Sequence, residues 1–500
     1  MDLQCGFDGD DRNLKSGDAP EEACGVFGIR VAANTRSVSH ATYDGLYALQ
    51  HRGQESAGMA VSDGSSITVV KNMGLVSNVF DDRTLLSLPG NLAIGHTRYS
   101  TTGSSTWGNA QPVFRAVGDS GIALGHNGNL TNTLALADEL GISSMDLRSD
   151  SDLIAHFLAT EIARSFGVKP GAITESLKDH PHALVAALKI VLPRLRGAFS
   201  LVVMDHDRLI GVRDPNGFRP LCLGKLDQGY VIASESPALD VVGATFVREI
   251  DPGEMVVIDD SSVTSYWPFP SETIDPKLCI FEFVYFARPD SLLLGKEVYS
   301  TRKRMGEYLA KSLPVEADIV MGVPESGVPA AVGYAAASGI PFGQGLVKNR
   351  YIGRTFISPD PASRVDAVRR KLNVLRDNIK GQRVIVVDDS IVRGTTTKSM
   401  VKLLKEAGAL EVHLRISSPP YKWSCFYGID TPSRPDLLAS SRSMDEIREF
   451  LEVDSIAYLD LEDLKAAIGF GDDGYCAACL TGEYPVEVPV YMQTKAAVGQ

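Results

Sequence analysis

The rhythm of apolar and polar positions changes along the chain. Over residues 24–253, short strand-like and turn-like segments follow one another, beginning with CGVFGI at 24–29, an apolar strand that opens on a thiol. From about residue 277 strands alternate with helices: ADIVMGVP at 317–324, a helix over 328–338, then RVIVVDD at 383–389 followed by the helical stretch KSMVKLLKEAG at 398–408. That alternation predicts a parallel sheet with helices on its faces, and ligands bind at the strand ends of such sheets. Residues 348–372 interrupt the pattern, with seven Lys or Arg against two Asp amid Pro, Gly and Ser, which predicts a basic loop suited to a polyanion or, more blandly, a solvated basic face. No apolar run approaches the ~18 to 20 residues of a membrane span, and no repeat or low-complexity tract stands out.

Composition narrows this picture without redirecting it. A chain of 500 residues, 44% hydrophobic and 22% charged, is long enough for two or three domains with their own cores. A net charge of −13 gives no general attraction for nucleic acid or an anionic membrane, so neither is expected as a partner. The first 23 residues carry seven Asp or Glu against Arg12 and Lys15 and lack an apolar segment, which fits no secretory or organellar signal and predicts a cytoplasmic protein. Seven cysteines are too few for a disulfide framework at this length and point to catalysis or metal binding.

The most informative stretch is VIVVDDSIVRGTTT at 384–397. Adjacent carboxylates at the end of an apolar strand repel one another, so Asp388 and Asp389 call for hydrogen-bond donors such as ribose hydroxyls, or for a metal ion. Ser390, Gly394, Thr395 and Thr396 follow at the start of the next helix, where backbone N–H groups, hydroxyls and the helix dipole favour a phosphate. One end suits ribose and the other its 5′-phosphate. The string resembles the phosphoribosylpyrophosphate signature of type I phosphoribosyltransferases. GVPESG at 322–327, otherwise an ordinary βα turn, resembles their pyrophosphate loop. The resemblance implies that Ser326, Asp388 and Asp389 serve Mg²⁺, that Arg393 joins the substrate site, and that 348–372 is a lid using Tyr351 and Lys371.

In the first half, LQHRGQESAGMA (49–60), GHTRYSTTG (95–103) and GHNGNLTN (125–132) follow Cys24. Together they resemble the class II glutamine amidotransferases, whose domain is an N-terminal-nucleophile αββα sandwich. On that resemblance Cys24 is the nucleophile, Asn127 and Gly128 form the oxyanion hole, Arg98 and Asp150 hold the two ends of glutamine, and Arg52 and Thr101 contribute less defined contacts. His51, His96 and His126 read as structural. The nucleophile needs a base. A free α-amine has a pKa near 7.7 to 8.0 and can accept the thiol proton, whereas an amide nitrogen cannot. Residues 1–23 are therefore expected to be a propeptide removed before Cys24.

Cys476 and Cys479 form C-A-A-C, with Cys279 and Cys425 far upstream; such a set can hold zinc or an iron–sulfur cluster, and spacing does not separate them. Their settings, CIFEFVYFARPDS, SCFYGID and CAACLTGEYP, resemble the iron–sulfur subgroup of amidophosphoribosyltransferases, which implies a [4Fe–4S] cluster. Cys222 reads as a core residue.

The order glutaminase then transferase resembles the same family. The expected organisation is a propeptide at 1–23, the glutamine amidotransferase domain at 24–253, a phosphoribosyltransferase domain with the cysteine segment at 254–489, and a tail at 490–500. The implied reaction carries ammonia from glutamine through an internal channel to C1 of phosphoribosylpyrophosphate, opening purine synthesis, in a homotetramer inhibited by purine nucleotides. A glutamine amidotransferase for another sugar phosphate, which has no use for 384–397, and a non-catalytic phosphoribosylpyrophosphate sensor, which could lose Cys24, Arg98 or Lys371, are the alternatives.

Overall fold

The computed structural model describes residues 24–33, 35–99, 106–118, 120–143, 147–167, 180, 182–260, 262–349, 372–469, 471 and 473–498. The expected propeptide, Thr101, Tyr351, Lys371 and nearly all of the basic segment lie outside them. The chain divides into two compact units.

The larger unit stacks two antiparallel sheets. One runs Thr245–Glu249, Cys222–Leu226, Gly229–Ala233, Gly25–Val31, Leu92–Arg98, Ser56–Ser62 and Ile67–Met73; the other runs Val263–Tyr266, Met255–Ile258, Leu209–Arg213, Gly197–Met204, Ser120–Leu130 and Val113–Val117. Period-2 alternation builds the layers. In Gly25–Val31, Phe27, Ile29 and Val31 pack beneath the helix Val38–Ala48, while Val26 joins Ile94, Val202, Leu209 and Ile232 between the sheets. On the far face, Ile122, Leu124, Leu201 and Val203 pack against the helices Asp150–Ser165 and Ala183–Val191. Each such side chain contributes about 1.5 to 3 kcal/mol on burial. The result is the αββα sandwich expected.

The smaller unit is a four-stranded parallel sheet in the order Ile319–Gly322, Arg383–Asp388, Glu411–Ile416, Ser455–Tyr458. Val384, Val386, Val412 and Leu414 pack against Met400, Val401 and Leu404 of the helix Thr395–Glu406 and against Ile447 and Leu451 of Met444–Leu451. The helix expected over 328–338 is Val328–Ser338. The helix expected from 398 starts three residues earlier, because Gly394 takes the N-cap with φ +79, a conformation that glycine adopts without steric cost.

The expected boundary at 253/254 does not hold. Met255–Ile258 pairs with Leu209–Arg213, and the first unit continues through Tyr299. Trp423–Ser433 and the described part of Phe470–Gln500 also belong to it, so the cysteine segments join the glutaminase unit. Leu278–Cys279 pairs in parallel with Tyr475–Cys476.

Candidate active sites

Cys24 precedes the central strand Gly25–Val31, whose Gly25 faces Thr97 in register and so brings the thiol to the end of Leu92–Arg98. The thiol is buried and donates to the Tyr99 carbonyl at 3.4 Å. Burial pushes its pKa up to about 12; the Arg98 charge works against this, while Glu55 and Asp150 add to it. Arg98, also buried, lies 3.6 Å from Glu55 Oε2.

Asn127 lies in Ser120–Leu130, and its neighbour Gly125 approaches Val26 on the strand that follows Cys24. The Asn127 side chain is fully buried, and among the described residues neither its amide nitrogen nor its amide oxygen has a hydrogen-bond partner. An unpaired buried amide is costly, and a catalytic role or a bound water is among its explanations. Gly128 has φ +148, and a Cβ there would fall 2.1 Å from the Ala198 carbonyl oxygen, so only glycine fits. Asp150 opens the helix Asp150–Ser165 and accepts from the backbone N–H groups of Leu130 at 3.1 Å and Ser151 at 2.7 Å. Burial opposes its ionisation, but nearby His126 and these donors hold its pKa below the usual range. Cys24, Arg98 and Asp150 therefore share one electrostatic environment.

His51, His96 and His126 each have a partner within the fold. His96 Nε2 lies 3.0 Å from the His126 carbonyl oxygen, and burial lowers its pKa to about 3, leaving it neutral; His51 lies 2.7 Å from Glu235. Arg52, expected at the glutamine site, sends its guanidinium elsewhere. It is buried between the carboxylates of Glu235 and Glu282, with Nη1 3.4 Å from Glu282 Oε1, and Arg219 reaches the same Glu282 oxygen at 3.3 Å. Sequence reading missed Arg219, Glu235 and Glu282. The available signal was a carboxylate inside an apolar run, FEFVYF at 281–286.

Cys279, Cys425, Cys476 and Cys479 line one cavity, together with Arg219 and Tyr427. Burial pushes the Cys279 thiol up to about 12 and raises Cys425 and Cys476, with the Arg219 charge opposing each shift. Among the described residues no group of three or more His, Cys, Asp or Glu gathers to hold a single ion. Four sulfurs around a common space with a buried cation beside them fit a metal centre bound through thiolates.

In the smaller unit, Asp388 and Asp389 stand at the end of Arg383–Asp388. The Asp388 carboxylate turns back to accept from the Asp389 N–H at 2.9 Å, and Ser390 donates to Asp389 Oδ1 at 2.6 Å. Burial raises the pKa of Asp389, against hydrogen bonds from Ser326 and Ser390 and the charge of Arg302. Arg302, a buried residue of Val298–Ser312, was also missed by sequence reading. Ser326 thus reaches Asp389 from the neighbouring strand's loop, where Gly327 leaves no room for a side chain: a Cβ there would fall 2.3 Å from the Val387 carbonyl oxygen. Gly394, Thr395 and Thr396 form the turn that opens Thr395–Glu406. The carboxylates, with a partly desolvated Asp389, suit hydroxyl donors or a divalent cation, so the residues present fit Mg²⁺.

Comparison with known proteins matches a domain family to part of each half of the chain. Residues 96–241 match the family described as Glutamine amidotransferase domain, and residues 300–417 match Phosphoribosyl transferase domain. Amidophosphoribosyltransferase of Mycobacterium tuberculosis (strain ATCC 25618 / H37Rv) is 50% identical over 484 residues, covering 94% of this chain and 88% of the relative. The chain belongs to the amidophosphoribosyltransferase family. A second member, from Bacillus subtilis (strain 168), is 45% identical over 93% of this chain and 95% of its own length. Among solved structures, glutamine phosphoribosylpyrophosphate amidotransferase from B. subtilis complexed with ADP and GMP superposes with a TM-score of 0.82 at 44% identity, covering 93% of this chain and 98% of that one. A family with a transferase domain matched over 300–417 disfavours the reading as an amidotransferase for another sugar phosphate.

Proposed function

We propose that the protein transfers ammonia from glutamine to C1 of phosphoribosylpyrophosphate, giving 5-phospho-β-D-ribosylamine, glutamate and pyrophosphate, the first step of de novo purine synthesis. The observation that carries this reading is the buried Asn127 amide with both polar atoms unpartnered, in a chain half identical to amidophosphoribosyltransferases. Such a group is ready to bind the oxyanion that forms on the glutamine amide, where one donor contributes about 2.7 to 4 kcal/mol.

The Cys24 thiol attacks that amide carbon, the Asn127 amide and the Gly128 N–H stabilise the oxyanion, and Arg98 and Asp150 pair with the α-carboxylate and α-ammonium. A thiol pushed up to about 12 is ionised to only about one part in 10⁵ at neutral pH, so it needs a base at hand. Removal of residues 1–23 would free the Cys24 α-amine for that role. At the second site Asp388 and Asp389 take the ribose hydroxyls, and Ser390, Arg393, Gly394, Thr395 and Thr396 take the 5′-phosphate. Ser326, Asp388 and Asp389 would hold Mg²⁺, which neutralises the leaving pyrophosphate. Tyr351 and Lys371 would close over the substrate. The four cysteines, which line one cavity, would hold a [4Fe–4S] cluster. We further expect a cytoplasmic homotetramer inhibited by purine nucleotides, in line with the relative bound to ADP and GMP. Among the described residues no helix is long and apolar enough to cross a membrane.

The test is glutamate and pyrophosphate release by anaerobically purified protein with Mg²⁺. Equal amounts of both, requiring both substrates, are expected. Glutamate release that ignores phosphoribosylpyrophosphate and yields no pyrophosphate would overturn the assignment.

A further inference from the structure

The segment that carries Cys425 does not stop at the cysteine cavity. Its next residues pack directly on the strand of the oxyanion hole. A Cβ on Gly428, which has φ +94, would fall 2.8 Å from the Gly128 carbonyl carbon and 2.9 Å from its Cα, so the two backbones touch with no room for a side chain. Asn129, one residue beyond Gly128, donates from Nδ2 to the Phe426 carbonyl at 2.9 Å. Arg219 donates from Nη2 to the Tyr427 carbonyl at 3.0 Å, and the Phe218 ring stacks on Tyr427 at 4.5 Å. Ala198, whose carbonyl confines Gly128 from the other side, shares a small apolar core with Phe426, Tyr427 and Cys476. The segment is tied in turn to the cavity: the Tyr427 N–H donates to Cys425 Sγ at 3.3 Å.

We propose that residues 425–429, anchored at Cys425, are a positioning element for the glutaminase: through Gly428, and through Asn129 and Arg219, the cysteine centre fixes the backbone at Gly128. None of these three residues touches glutamine in this scheme. They act by holding Gly128 with its N–H aimed, and oxyanion donors lose most of their value when displaced by a fraction of an ångström. A four-cysteine centre in a glutaminase thus acts locally. The inference rests on the glutaminase reading of Cys24.

The experiment compares full-length wild type with Gly428→Ala and Asn129→Ala, measuring glutamine hydrolysis, ammonia-dependent pyrophosphate release, iron content and visible absorbance. The expected result is a fall of tenfold or more in kcat for glutamine in both variants. KM for glutamine should stay within about twofold, since Arg98 and Asp150 are untouched. Ammonia-dependent activity and iron content should be unchanged. An aldehyde analogue of glutamine, whose thiol adduct places an oxyanion in the hole, should bind more weakly by a similar factor. Should Gly428→Ala fail to fold, Asn129→Ala decides. Wild-type kcat in Asn129→Ala with iron retained would overturn the proposal, and so would parallel loss of iron and both activities, which marks a merely structural contact. Wild-type protein that forms no glutamate would instead overturn the underlying glutaminase reading before any variant is compared.

Discussion

The two units handle charge in opposite ways. In the antiparallel sandwich, charged groups are buried and partnered from within the fold: Arg52 sits between Glu235 and Glu282, Arg219 shares Glu282, and Asp150 rests on backbone N–H groups. In the parallel unit, Asp388 and Asp389 stand at a strand end, where burial raises the pKa of Asp389 and its nearby hydroxyls and Arg302 only partly compensate. The first arrangement is a finished scaffold around a small amide substrate. The second is completed by what binds to it. Replacing Cys24 by Ala probes the difference most severely: glutamine-dependent activity should fall by about 10⁴-fold, because the covalent route is lost, while ammonia-dependent pyrophosphate release stays within twofold. An equal loss of both would mean that the two chemistries cannot be separated by unit.

Arg52→Met attacks the finished scaffold. Removing one member of a buried ion pair leaves charge unpaired and costs about 3 to 5 kcal/mol, to be read from denaturant unfolding. The sign with pH follows from Glu235. Burial opposes its ionisation, but Arg52, His51 and Ser291 hold its folded pKa well below the ordinary 4.5. In the wild type this contributes stability above that value, which is lost as pH falls towards the folded pKa. The gap between wild type and variant should therefore be widest at neutral pH and narrow in acid. A gap independent of pH would show that packing, not charge, is what Arg52 supplies.

Asp389→Asn tests the other unit. Loss of one carboxylate should lower glutamine-dependent and ammonia-dependent product formation alike, on the order of 10²-fold, with iron content spared. A variant that lost only the glutamine-dependent activity would contradict the assignment of the sugar phosphate to this strand end.

How far the sequence revealed these features depends on chain distance. Residues 384–397 are one contiguous strand, turn and helix start, so Asp388, Asp389 and Gly394 could be placed by pattern alone. So could the helix Val328–Ser338. Cys24, Asn127 and Asp150 needed several separate strings, and a resemblance had to join them. Nothing local pairs Arg52 with Glu282, 230 positions away, or sets Gly428 against Gly128. The expected boundary at 253/254 failed for the same reason: the chain leaves the first unit, builds the second, and returns with Trp423–Ser433 and again after Gly469. The change of pattern read at about 277 likewise misses the structural boundary: the larger unit continues through Tyr299, and the parallel sheet starts only at Ile319–Gly322.

The smallest effect concerns how the parallel unit holds its phosphate turn. Ser443 caps the helix Met444–Leu451, accepting from the Glu446 N–H at 3.3 Å while Glu446 accepts from the Ser443 N–H at 2.7 Å. A Cβ on Gly394 would meet Leu451 and Phe450 at 3.2 Å, so the last turn of this helix backs the turn where the 5′-phosphate is expected. Ser443→Ala removes one exposed cap and should lower Tm by about 2 to 4 °C. The turn itself is held independently by Gly394 and by the strand that leads into it, so KM for phosphoribosylpyrophosphate should stay within twofold. A KM rise of tenfold with so small a loss of stability would make the parallel unit as internally braced as the sandwich, and the contrast between the two would no longer stand.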